Sequence, residues 1–298
     1  MTTNLSPAAT RFGIDTCSML VEFSAPTWTA RKLDRTTTDE VVADKNAKAK
    51  DAARVNKHLL AGRPELEVIQ KMVTRARQYV YDNTLPWSDA GLRLLPTARF
   101  MVFAEKMNRF EEEFTRLVEE FVAIYPSLIT AQAMALGDMF RRDDYPSQHE
   151  LLTKFSFRVN YMPVPTAGDF RIDVGNAAQK ELQEKLARLS EERIEAAVGD
   201  VRERLVTHLK RMSDRLTTDT VGGEAKGRRF HDSLVDSALE LCDMAKDLNV
   251  TGDPTIETVR KELELLLVGV TPEELRKNPA VREDTKKAVD AVLDKFAF

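Results

Sequence analysis

Large apolar residues recur at Phe100, Phe103, Met107, Phe110, Phe114, Leu117, Phe121 and Ile124, an unbroken alternation of three- and four-residue steps in a charged segment. This heptad spacing predicts a long helix with one apolar edge. Each large side chain gains about 1.5–3 kcal/mol on burial, so the edge must lie against another helix of this chain or of a partner. The helix starts near Thr97, after Pro96, and Pro126 either kinks it or opens a further helix to about Phe140. A second stripe runs through Leu182, Leu186 and Leu189 and then, after a five-residue step, through Ile194, Val198, Val201, Leu205, Leu209, Met212 and Leu216. Between the stripes the period changes to two. Phe155, Phe157, Val159 and Tyr161 alternate with polar residues, as do Phe170, Ile172 and Val174, and Pro163, Pro165 and Gly168 join the two runs. The pattern predicts helix, β-hairpin, helix: a long antiparallel stalk with a hairpin at its tip.

The flanks add smaller elements. Ile14 to Trp28 is rich in β-formers and predicts a strand that extends the tip sheet. Thr37 with Glu40 has the spacing of a capping box, which predicts a polar helix reaching Leu60 before Gly62 and Pro64. Leu66, Ile69, Val73, Ala76 and Val80 predict a helix from Glu65 to Tyr81, closed by a turn at Leu85-Pro86-Trp87. Gly222, Gly223 and Gly227 with Lys226, Arg228 and Arg229 read as a basic linker. Beyond it, helices are expected from Phe230 to Leu248, from the Asp253 cap to Val268, from Thr271, and after Pro279. The fold class expected is mainly α with a small β element. The parts expected are 1–96 (strand and helical hairpin), 97–220 (stalk), 221–229 (linker) and 230–298 (helical unit).

Forty-four basic residues against 48 acidic give a net charge of −4, so no global positive field draws the chain to nucleic acid or an anionic membrane. Cys17 and Cys242 are far apart and outside any CxxC spacing, which points to a reducing compartment and no zinc site. The first residues lack the pattern of a signal peptide, and no stretch approaches the roughly 20 apolar residues of a membrane span. The expected location is the cytoplasm.

Catalytic signatures are sparse. His58, His149, His208 and His231 stand apart, and Gly222 to Gly227 lacks the order of a P-loop. Neither cysteine has a histidine near it in sequence to activate it. Asp143 and Asp144 with Asp169 and Asp173 are the one carboxylate set that suggests a metal-dependent hydrolase. Trp28, Arg31 and Lys32 join an aromatic to two cations, and with Arg158 and Arg171 they suggest a strip for single- or double-stranded DNA.

Three passages carry a resemblance: Trp28-Thr29-Ala30-Arg31-Lys32, Leu85-Pro86-Trp87, and Pro163-Val164-Pro165-Thr166-Ala167-Gly168-Asp169-Phe170-Arg171. Together they resemble a family of unknown function carried by tailed bacteriophages, prophages and conjugative elements. The resemblance implies a genetic setting beside a MoxR-type or cobaltochelatase-like AAA+ ATPase and hence an ATPase-partnered adaptor. It implies no catalytic residue and no cofactor.

The expectation is a non-enzymatic interaction protein that docks a protein partner and forms a homo-oligomer through its seam. Asp169, Phe170 and Arg171 at the hairpin, with Trp28, Arg31 and Lys32, are the expected partner-binding residues. DNA binding in phage replication or recombination, and a structural place in the virion, are the competing expectations.

Overall fold

The computed structural model describes residues 14–49, 51–165, 176–221, 224–228, 230–231 and 233–295. In chain order the elements are α1 (Ile14–Cys17), β1 (Ser18–Ser24), β2 (Arg31–Leu33), α2 (Arg35–Asp44), β3 (Asn56–His58), α3 (Glu65–Asn83), β4 (Leu85–Pro86), β5 (Arg93–Pro96), α4 (Phe100–Ala135), α5 (Gln148–Leu152), β6 (Arg158–Pro163), α6 (Asn176–Leu216), β7 (Thr218–Val221), β8 (Glu224–Gly227), α7 (Ser233–Leu248), α8 (Pro254–Leu267), α9 (Pro272–Lys277) and α10 (Pro279–Asp294). The protein is mainly helical with small antiparallel sheets, as the sequence predicts. No described helix is long and apolar enough to cross a membrane. Two compact units divide the chain: Met1–Glu22, Tyr81–Phe103 and Asn160–Phe298 form unit 1, and Phe23–Val80 with Ala104–Val159 form unit 2.

In unit 1 the core is built on a four-stranded sheet of order β4-β5-β1-β6. Leu85 pairs with Leu94, and Leu94 pairs with Leu20, so three leucines line up across three strands. Over them lie Ala197, Val201 and Leu205 of α6 together with Ala245 and Leu248 of α7. Further along α6, Leu209, Met212 and Leu216 are buried by Val235 and Cys242 of α7, Val259 and Leu263 of α8, and Val289 of α10. The lower α6 stripe is therefore covered by the C-terminal helices, not by an antiparallel α4 as the stalk expectation had it. The upper part, around the five-residue step, stays half-exposed, with Leu189 on the surface.

Other differences follow from local chemistry. The segment read as a linker, 221–229, contains β8 and the last residue of β7; the two strands pair antiparallel from Thr218↔Gly227 to Val221↔Glu224, and the helices beyond it belong to unit 1. Helices α8, α9 and α10 start where the sequence placed them, whereas α7 starts at Ser233 and not at Phe230. Asp253 accepts from the amides of Thr255 and Ile256, Thr271 accepts from Glu274, and Asn278 caps α10 ahead of Pro279. Near the N-terminus, Asp34 and not Thr37 caps α2, accepting from the Thr37 amide at 3.1 Å, and α2 ends at Asp44, so the polar run to Leu60 holds a turn and strand β3. Leu85-Pro86 is a strand where the sequence suggested a turn. The first strand of the expected hairpin is β6, which neighbours β1 as anticipated; the second, Phe170 to Val174, lies outside the described residues.

Unit 2 buries the apolar face of α4. Phe114 packs on Phe155 and Phe157, Phe121 on Phe155, and Phe110 edge-on to Tyr79 of α3. Along the whole helix the buried positions are Phe103, Met107, Phe110, Phe114, Val118, Phe121, Tyr125, Leu128, Ile129 and Gln132. They repeat as 103, 114, 125 and 107, 118, 129, an 11-residue period close to a straight helix and unlike a heptad coil. Ile124, on the heptad, is exposed, while its neighbour Tyr125 is buried.

Pro126 sits inside α4 without ending it. Proline has no N–H for the Val122 carbonyl, and the Gln148 side chain of α5 donates to that oxygen at 2.9 Å instead. Gln148→Ala is expected to cost about 0.5–1 kcal/mol in the parent and almost nothing in Pro126→Ala, where the alanine's amide would take up the carbonyl. Urea unfolding of the four proteins of this cycle checks it.

Candidate functional site

The N-terminal stretch of unit 2 makes a short ribbon of β2 and β3, in the register Arg31↔His58, Lys32↔Lys57 and Leu33↔Asn56. Ala30 enters it at φ +51°, a left-handed conformation that costs a residue with a β-carbon about 1–2 kcal/mol. The surroundings hold it there. Gln70 of α3 donates to the Trp28 carbonyl at 3.3 Å, the Tyr145 hydroxyl to the Leu59 carbonyl at 2.7 Å, and Gln132 to the Ala61 carbonyl at 3.0 Å. Gly62, at φ +70°, completes the turn that carries Arg63 to the start of α3.

Side chains directly opposite share a face, so the ribbon has two cationic faces with different fates. On one, Lys32 and Lys57 are neighbours, and Asp144 lies between them, 3.3 Å from the Lys32 ammonium and in close contact with that of Lys57. Lys57 is buried and also donates to the Met139 carbonyl at 2.9 Å. Burial alone would raise the Asp144 pKa, but hydrogen bonds from both lysines and their charges outweigh it and hold the carboxyl below its ordinary range. On the other face, Arg31 and His58 are exposed and, with Arg63, make no ion pair among the described residues.

Arg31, His58 and Arg63 line a cleft of about 360 Å³, with Thr29, Leu60, Leu66, Glu67 and Gln70 among the remaining walls. His58, Leu60, Arg63 and Glu67 also line an adjoining groove of about 810 Å³, whose far wall is Leu136 and Met139. Cleft and groove share those four residues; the cleft adds Arg31, and the groove adds Leu136 and Met139.

No family model, curated protein or solved structure matches the chain. The site is therefore read from its own chemistry.

Of the residues singled out from the sequence, Arg31 lies in the cleft. Trp28 is buried, edge-to-face on Tyr125 with ring centroids 5.7 Å apart, so its ring is part of the core. Lys32 is committed to Asp144. Arg158 is exposed on β6 and lines neither cavity. Asp169, Phe170, Arg171 and Asp173 lie outside the described residues. Asp143 and Asp144 do share a surface hollow, but the Asp144 carboxylate is occupied by two ammonium groups, and no cluster of three metal-ligating side chains occurs among the described residues. His58, Arg63 and Lys57 escaped the sequence reading. Only a strand pairing across the intervening chain brings His58 to Arg31, and nothing local signals it.

Proposed function

We propose that the protein is a non-catalytic docking protein that receives an acidic segment of a protein partner in the unit 2 cleft. The supporting observation is the contrast between the ribbon's two faces: Asp144 neutralises Lys32 and Lys57, while Arg31 and Arg63, which share one cavity with His58 and Glu67, make no ion pair among the described residues. Unpaired cations facing a cavity favour a carboxylate-bearing ligand and discriminate against basic ones. The adaptor role that the sequence resemblance implies fits this reading, and a MoxR-type AAA+ ATPase is the first partner to try.

The DNA reading is weaker on these residues. It relied on stacking by Trp28 and on the charge of Lys32, and neither side chain is free for that work. Oligomerisation loses its original motive as well, because the α4 face is buried within unit 2.

Fluorescence anisotropy of the full chain with a labelled glutamate-rich peptide, a single-stranded oligonucleotide and a duplex tests the proposal. Acidic peptide binding is expected to fall at least tenfold in Arg31→Glu/Arg63→Glu, with the melting temperature unchanged because both side chains are exposed. DNA binding that declines steeply with salt, in a protein that ignores the peptide, would replace this reading with the nucleic-acid one.

A further inference from the structure

The β2–β3 ribbon has hydrogen-bonding capacity that its own two strands do not use. In an antiparallel pair, opposed residues alternate between those that exchange both backbone bonds and those whose N–H and C=O point away from the partner strand. The Leu59 amide donates to the Ala30 carbonyl at 2.7 Å, and the Asp34 amide donates to the Val55 carbonyl at 2.9 Å. Both pairs belong to the set that exchanges bonds, and the alternation places Lys32↔Lys57 in the same set. Arg31↔His58 and Leu33↔Asn56 fall in the other, so the N–H and C=O of Asn56 and His58 point outward from the free edge of β3. Neither residue's backbone has a partner among the described residues.

That edge faces the groove. All three residues of β3 line it and none of β2 does, and Arg63 stands along the same wall. The opposite edge, at Arg31 and Lys32, opens on a hollow that mixes Asp143, Asp144 and Glu150 with Arg31, Lys32 and Lys154, and Asp144 there is already held by two ammonium groups.

We infer that the acidic segment binds as an added strand on β3, pairing its main chain with Asn56 and His58 while its carboxylates meet Arg63, His58 and Arg31. This rests on the docking function proposed above and adds the conformation and placement of the ligand. Strand addition draws affinity from main-chain bonds and selectivity from the side chains alongside. A three-residue edge offers few main-chain bonds, and its central side chain, Lys57, is held on Asp144 on the ribbon's other face. Such an edge resists indiscriminate pairing, and the charged contacts become the condition for binding.

The test is hydrogen–deuterium exchange of the full chain, resolved to single amides, with and without a saturating peptide of about ten residues alternating Glu and Val. Exchange at Asn56 and His58 is expected to slow at least tenfold, with a smaller change at Lys57, whose amide the ribbon already holds. Arg31→Glu/Arg63→Glu is expected to abolish both the protection and the binding. Binding that depends on the two arginines but leaves Asn56 and His58 unprotected would overturn strand addition and leave the docking function standing. Failure of the parent protein to bind the peptide at low salt would overturn both.

Discussion

Arg282→Ala is expected to lower the unfolding free energy by about 3–5 kcal/mol, read from urea denaturation. The guanidinium is buried in unit 1, and its partners are all backbone oxygens: Leu216 at 2.8 Å, Arg215 at 2.7 Å, Arg228 at 2.7 Å and Thr217 at 3.4 Å. Leu216 ends α6, a 41-residue helix whose last carbonyls have no amide above them and carry the negative end of its dipole. Thr217 serves the Ser213 and Asp214 carbonyls, one side chain from α10 answers the last two, and the ring of Phe230, 5.2 Å away, covers it. Truncation leaves several buried carbonyls without donors and opens a void beside the ring. Arg282→Lys keeps the charge but offers no planar fork, so an intermediate loss is expected. Arg204 applies the same device to α3, donating to the carbonyls of Tyr81, Asp82 and Thr84.

Asp144→Asn should cost a similar 3–5 kcal/mol, roughly, in the same assay, for the opposite electrostatic reason. The exchange leaves the buried Lys57 ammonium with the Met139 carbonyl at 2.9 Å, the more distant Asp34 carboxylate at 3.9 Å and a second lysine across the ribbon. Replacing both members, Lys57→Met with Asp144→Leu, should recover much of the loss, because the penalty comes from the uncompensated charge. The sign in pH is fixed by the direction of the shift. The folded Asp144 pKa is depressed, so the ionised carboxylate stabilises the protein above the unfolded carboxyl value, about 4, and that share disappears as pH falls through the folded value. Stability curves for the parent and Asp144→Asn, separated at neutral pH, should draw together in acid.

The C-terminal helices were legible because their starts are written in local chemistry. Asp253 before Pro254, Thr271 three residues ahead of Glu274, and Pro279 each fix a first turn without help from the rest of the fold. The phase of α4 was harder to read. Leu117 and Val118, and again Ile124 and Tyr125, offer an apolar residue at both adjacent positions, so periodicity alone cannot choose between a heptad and a straight helix. Packing on Phe155, Phe157 and Trp28 decides for the latter. Strand β5 was missed because its four residues hold only Leu94 and Leu95 ahead of Pro96, too short a run to show alternation. At the site, Arg31 stood out beside Trp28 and Lys32, but sequence proximity mixed three different environments: a core ring, a cleft cation and a neutralised lysine. Their true companions, His58 and Arg63, are joined to Arg31 by strand pairing and by the turn at Gly62.

The interleaving of the two units sets an order of assembly during synthesis. Unit 2 closes with Val159, so its segments have all left the ribosome while unit 1 still lacks α6 and the helices that cover it. Strand β1 and the Leu85–Pro96 region are made early, yet Ala197, Val201 and Leu205 come about 100 residues after the latter and more than 170 after β1. Leu20, Leu85 and Leu94 must therefore wait, exposed or shielded by a chaperone, until α6 arrives. A chain ending near residue 160 would hold every segment of unit 2 and leave the apolar face of the unit 1 sheet uncovered.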